Sequence, residues 1–216
     1  MFITANQRTL RVLLKPIFFI LFDISISGKE NLQNIKRPII VVINHKSSLD
    51  AFLFGVCIPI KSEVWPLRYM LSKGGFKTKL LRFFHKSGIL SMVSFLFGHF
   101  PVKKGEGLKN LNLPLKALKK KEGSVAIFVE GERVFSEELG RVKRGAAALS
   151  VQSGVEILPV IIKNSFNLKL KDIFLRRKIK IVIGKKFTLN KIINKGDFRY
   201  LKEREFIKNK LQKLYS

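Results

Sequence analysis

The sequence predicts an α/β fold: a mostly parallel central sheet flanked by helices and preceded by an amphipathic N-terminal helix. Three observations carry this. Apolar runs at 38–43 (PIIVVI), 124–129 (SVAIFV) and 157–162 (ILPVII) lack the alternation of a half-exposed strand, as strands covered on both faces do. Segments of helical character separate them, so strands and helices alternate along the chain. At the N-terminus, Arg8, Arg11 and Lys15 interleave with Leu10, Leu13, Leu14, Phe18 and Phe19 at helical spacing.

The elements follow in chain order. The run 16–22 (PIFFILF) ends at Asp23 and, with 12–14, amounts to about half of the roughly twenty apolar residues a bilayer span requires. No small-residue cleavage site follows, so a signal peptide is not expected. The residues fit an interfacial helix and a core-packing helix equally well, and 1–27 is set apart as an N-terminal helical segment from a domain at 28–216. After the strand at 38–43, Ser47 or Ser48 offers an N-cap for a helix through 49–56. A short strand at 68–71, a Lys/Phe/Leu-rich helix around 78–84 and the uncharged apolar stretch 89–100 come next. The helix at 108–121 contains Pro114 and is expected to close at Gly123. An Ala-rich helix at 144–153 precedes the strand at 157–162, which Pro159 interrupts. Alternation at 178–183 (KIKIVI) marks an edge or half-exposed strand, and 198–214 closes the chain as a charged amphipathic helix.

The 216 residues carry 42 Lys+Arg against 15 Asp+Glu, a net charge of +27, so an anionic partner is expected: nucleic acid, a phospholipid surface or an acidic protein. Cys57 is the single cysteine and there are three histidines, which excludes a disulfide scaffold and a zinc finger. No metal site is expected. The signatures of a dinucleotide-binding G-x-G-x-x-G, a P-loop and a G-x-S-x-G elbow are all missing.

One constellation carries chemistry: Asn44-His45-Lys46-Ser47-Ser48-Leu49-Asp50. In a continuous helix His45 and Asp50 would point about 140° apart. With His45 in the loop leaving the strand and Asp50 in the first helical turn, the two can meet. Asp50 then accepts a hydrogen bond from one imidazole nitrogen and leaves the other free to take a proton. The end of a strand is also where α/β sheets place their sites.

Three further segments follow in order: Phe100-Pro101-Val102-Lys103-Lys104, Phe128-Val129-Glu130-Gly131-Glu132-Arg133, and the proline-bearing strand around Pro159. Together with the first they resemble the four blocks of the glycerolipid acyltransferase family, N-H-x4-D, F-P-V-x-R, F-P-E-G-T-R and a proline-bearing apolar strand. The resemblance covers 28–163, and Gly140, Lys143 and Gly145 fit the spacing after the third block. It implies a His45 general base oriented by Asp50, and a lysophospholipid acceptor whose phosphate is framed by Lys103, Lys104, Glu130, Gly131 and Arg133. It also implies an acyl thioester of acyl carrier protein or coenzyme A as co-substrate, with no cofactor. Lys104 stands where Arg is usual, Val129 where Pro is usual and Glu132 where Thr is usual. Lysine keeps the charge but loses the planar fork.

The competing reading is a basic nucleic-acid-binding protein without catalytic activity. It lacks a recognition motif, and Tyr and Trp, the usual base-stacking residues, total four against 19 Phe. His85, His99 and Cys57 read as surface or packing residues. From 163 to 216 there are 17 Lys+Arg and four Asp+Glu, which suits an anionic membrane surface. Charge and the N-terminal pattern thus predict a peripheral protein on the cytoplasmic face of a membrane that does not bind nucleic acid, and the resemblance implies that it acts on lysophosphatidate.

Overall fold

The computed structural model describes residues 2–33, 35–72, 89–166, 168, 172, 175–189 and 200–215. Seven strands are ordered β1-β7-β6-β2-β5-β3-β4 in one sheet: β1 (Asp23–Ser27), β2 (Ile40–Ile43), β3 (Leu67–Ser72), β4 (Phe100–Val102), β5 (Ser124–Phe128), β6 (Ile157–Lys163) and β7 (Lys178–Ile183). All neighbours pair in parallel except β6 with β7. Helices α1 (Phe2–Leu21), α2 (Asp50–Cys57), α3 (Ile89–Leu96), α4 (Asn112–Lys119), α5 (Gly145–Ser153) and α6 (Leu201–Tyr215) surround it. The helix expected around 78–84 and His85 lie outside the described residues.

Both faces of the sheet are covered, which is why β2 reads as an unbroken apolar run. Val41 and Ile43 pack toward α1 and α2 with Phe18, Phe22, Leu53 and Phe54. Ile40 and Val42 pack toward α4, α5 and α6 with Leu118, Leu149, Ile207 and Leu211. Gln7 is buried on α1 and locks that helix to the sheet. Its amide donates to the Leu67 and Phe97 carbonyls at 2.9 and 2.8 Å and accepts the Leu67 N–H at 2.8 Å.

Several elements depart from the sequence expectation. The N-terminal helix stops at Leu21, and Asp23–Ser27 forms an edge strand whose register against β7 supplies the hydrogen bonds its composition does not advertise. Gly28 ends that strand at φ +75, where a Cβ would lie 1.9 Å from the Ile183 carbonyl oxygen. β7 is half-exposed as expected, yet it is interior, between β1 and β6. Pro159 does not interrupt β6. It pairs with Val42 of β2, and its carbonyl accepts the Gly184 N–H at 2.8 Å just beyond the end of β7. Pro114 sits in the first turn of α4, where it is tolerated, behind a 3-10 turn at Gly107–Leu111. α4 ends at Lys119 with Lys120 as its C-cap, and Lys121 rather than Gly123 turns the chain in the left-handed region at φ +55, the Lys121 and Glu122 N–H groups donating to the Leu118 and Ala117 carbonyls.

Candidate active site

β2 ends at the centre of the sheet, and the residues that follow it are held by side chains rather than by a ladder. The Asn44 amide takes the place of a strand residue: it donates to the Ile162 carbonyl at 2.9 Å and accepts the Ile162 N–H at 2.8 Å, tying the end of β2 to β6. It also donates to the Tyr215 hydroxyl at 2.9 Å, so the last turn of α6 closes on the same point. Burial raises the Tyr215 phenol, and the Glu130 charge adds to that.

His45 follows in the loop, and Asp50 is the first residue of α2. His45 Nδ1 is 3.0 Å from Asp50 Oδ2. The same oxygen accepts the backbone N–H groups of Lys46 at 2.7 Å and Ser47 at 2.8 Å, while Oδ1 accepts the Ser165 hydroxyl at 2.8 Å. The Asp50 side chain is 0% exposed and that of His45 19%. A carboxylate, which only accepts, satisfies all four donors. The expected Ser47 or Ser48 cap on α2 does not form: the helix starts after Leu49 without a side-chain cap, and the Asp50 carboxylate organises the loop instead. With Nδ1 at Asp50, Nε2 is the ring nitrogen that Asp50 does not engage. Phe128 holds the plane of the imidazole, with ring centroids 4.0 Å apart and planes 15° from parallel.

The third motif wraps this loop. Glu130 Oε2 accepts the His45 backbone N–H at 2.5 Å, and Oε1 accepts the Gly140 N–H at 2.7 Å. The Lys46 ammonium lies 3.3 Å from Oε1 and also donates to the Glu138 carbonyl. Both Lys46 and Glu130 are buried. The Val134 N–H donates to the His45 carbonyl at 2.9 Å, fastening the loop after Glu130 to the histidine. Gly131, at φ +72, leaves room for the Lys143 side chain, which a Cβ would meet at 2.7 Å.

Of the residues singled out in the sequence, His45, Asp50 and Glu130 converge, and Gly131 adjoins them. Arg133, Lys103 and Lys104 are exposed. Lys103 pairs with Glu106 at 3.4 Å beyond the edge strand β4. Glu132, one of the three departures from the family pattern, faces Lys143 at 3.9 Å on the surface. His99 is a packing residue: Nδ1 accepts the Tyr69 N–H at 3.2 Å, and burial, with the Arg68 charge, lowers it to about 4. Burial pushes the Cys57 thiol up to about 12, which suits a core residue. Ser165, Lys46 and Tyr215 were missed as site residues. Lys46 lies within the first motif, whereas Ser165 and Tyr215 have no local signal. Cavities of about 270 Å³ beside Arg141, Arg204 and Lys208, and of about 220 Å³ beside Arg8, Val12 and Ile60, do not include the dyad. Among the described residues no group of three His, Cys, Asp or Glu is placed to hold a metal ion.

Comparison with known proteins agrees with the geometry. The acyltransferase family model matches residues 23–163, which takes in the dyad, Glu130 and β1 to β6. The 1-acyl-sn-glycerol-3-phosphate acyltransferase of Saccharomyces cerevisiae is 32% identical over 151 residues, 68% of this chain and 45% of its own. A chloroplast 1-acyl-sn-glycerol-3-phosphate acyltransferase of Arabidopsis thaliana is 27% identical over 146 residues, 64% of this chain and 35% of its own. The chain therefore spans less than half the length of these two relatives. The crystal structure of the 1-acyl-sn-glycerophosphate acyltransferase PlsC from Thermotoga maritima superposes with a TM-score of 0.66 at 18% identity, covering 97% of this chain and 77% of that one, so the two share a fold. On the matched motifs and the geometry that joins them, this chain belongs to the acyltransferase family.

Proposed function

We propose that the protein transfers an acyl group from a thioester of acyl carrier protein or coenzyme A to the free hydroxyl of lysophosphatidate, giving phosphatidate. The observation that carries this is the His45–Asp50 pair at the end of β2, with Nδ1 engaged and Nε2 unengaged by Asp50. His45 Nε2 takes the proton from the acceptor hydroxyl as its oxygen attacks the thioester carbonyl. The C–S bond then breaks and the imidazolium returns the proton to the departing thiolate, with no acyl-enzyme between. Arg133, Lys103, Lys104 and the backbone at Gly131 bind the acceptor phosphate. Glu130, its carboxylate already occupied by three donors, holds the loop that carries Gly131 and Arg133, whereas Lys103 and Lys104 come from the segment after β4.

The outer face of α1 supports attachment to a membrane surface. Phe2, Val12, Leu13, Ile17 and Ile20 are exposed there, and Phe52 of α2 and Ile60 just after it are exposed as well. Arg11, one of the cations interleaved along α1, turns to the protein and donates to the Ile58 carbonyl at 2.7 Å. This leaves an apolar surface suited to the acyl boundary of a bilayer. Among the described residues no helix is long and apolar enough to cross one. In this reading the exposed apolar face of α1 holds the protein peripherally against the cytoplasmic leaflet. α6 lies on the opposite face of the sheet from α1, about 20 Å away across two layers of side chains. That is about two and a half Debye lengths at physiological salt, so the cations of α6 add little to leaflet binding through α1. They suit an acidic acyl carrier protein.

Thiol release from acyl-carrier or acyl-coenzyme A thioesters with lysophosphatidate tests the proposal. His45→Ala should lose roughly 10²–10⁴-fold in turnover without unfolding. Near wild-type turnover in that variant would overturn the mechanism. A better rate with phosphate-free monoacylglycerol would overturn the acceptor.

A further inference from the structure

We propose that Ser165 is a positioning residue of the acyl-transfer site, acting on His45 through Asp50. The inference rests on the reading of His45 as the base. Ser165 and Asp50 are both 0% exposed, and the Ser165 hydroxyl donates to Asp50 Oδ1 at 2.8 Å. The other donors to this carboxylate, His45 Nδ1 and the Lys46 and Ser47 N–H groups, all reach Oδ2. Ser165 thus holds the oxygen opposite the imidazole. A carboxylate bonded at one oxygen can turn about its own axis; bonded at both, it keeps Oδ2 aimed at Nδ1.

The fold supplies this contact across 115 residues of sequence. Ser165 comes just after β6, past Asn164, whose φ of +63 turns the chain. Asn44 fastens the adjoining end of β6 to the end of β2. The strand end carrying His45 and the strand end carrying Ser165 are therefore clamped together, with Asp50 between them. Ser165 is buried beneath Asp50, so its effect falls on turnover and not on substrate affinity.

The test is a mutant cycle read by thiol release, in the full chain. Ser165→Ala should lower kcat roughly ten-fold, the effect of one hydrogen bond to a charged group, with the KM of donor and acceptor within about two-fold. Ser165→Thr, which keeps the hydroxyl, should recover most of the loss, and Ser165→Cys, a weaker donor of similar size, should fall between. In a His45→Ala background Ser165→Ala should cost nothing further, because there is no imidazole left to orient. An equal loss in both backgrounds would reduce Ser165 to a packing residue and overturn the proposal. So would wild-type kcat for Ser165→Ala while His45→Ala is inactive, which leaves the dyad standing. Retained turnover in His45→Ala alone would instead overturn the reading of the base. Should Ser165→Ala fail to fold, the order serine, threonine, cysteine in kcat decides the question, and equal kcat for all three would count against it.

Discussion

Removing the Glu130 carboxylate should damage the fold of the His45 loop before it damages substrate binding. Glu130 accepts the His45 and Gly140 N–H groups at 2.5 and 2.7 Å and faces the Lys46 ammonium at 3.3 Å. The side chains of Lys46 and Glu130 are 0% and 1% exposed. Glu130→Ala therefore strands a cation in the interior, with the Glu138 carbonyl as its remaining acceptor among the contacts of the site. Breaking one side of a buried pair costs about 3–5 kcal/mol. For a chain of this size each kcal/mol lowers Tm by about 2–4 °C, so a drop of about 6–20 °C is expected in a thermal melt. The double variant Glu130→Ala/Lys46→Met removes the stranded charge and should regain much of that stability, because an apolar replacement for a buried pair is close to neutral. Its turnover should stay low, since the His45 N–H remains without its acceptor. A Glu130→Ala protein that melts within about 2 °C of wild type and shows only a raised acceptor KM would refute this reasoning. Glu130 would then face the phosphate, as the family resemblance implies.

The remaining predictions concern the substrate, the membrane and pH. Arg133→Ala should raise the lysophosphatidate KM with little change for the acyl donor, and Lys104→Arg should lower it, because a planar fork replaces a point charge; no change in either would move the phosphate elsewhere. Ile17→Ser/Ile20→Ser, at positions 47% and 69% exposed, should cut sedimentation with anionic vesicles by at least roughly ten-fold while leaving Tm nearly unchanged. Unaltered sedimentation would free α1 of that role. His99 is held neutral, its value lowered from 6.5 to about 4. Between those limits the unfolded chain binds a proton that the native one does not, so its contribution is intact above about 6.5 and is lost as pH falls toward 4. His99→Asn keeps an acceptor for the Tyr69 N–H and should flatten the fall in urea stability over that window. An unchanged slope would assign the acid sensitivity to other groups.

Much of the architecture was legible in local pattern. β2, β5 and β6 are covered on both faces, and double coverage leaves a continuous apolar signature that survives without knowledge of partners. The dyad was legible for the same reason: His45 and Asp50 are five residues apart, and one loop between a strand and a helix brings them together. β1 was not legible, because Asp-Ile-Ser-Ile-Ser becomes a strand through its register with β7, more than 150 residues later. Nor was the place of β7 inside the sheet, since alternation reports exposure and not neighbours.

The chemistry-bearing residue types and their order were thus set by the sequence itself. How they are wired was decided by the tertiary structure. Glu130 reads in sequence as part of a phosphate frame, yet its carboxylate turns inward to the His45 N–H and to Lys46. Lys46 is a charged residue inside a polar motif, and the fold buries it fully against Glu130. Ser165 carries no signal and completes the hydrogen bonding of Asp50. The physical reason is common to all three. Hydrophobic periodicity is written locally because it reports one residue's exposure, whereas a buried polar group must find its partner wherever the folded chain brings one.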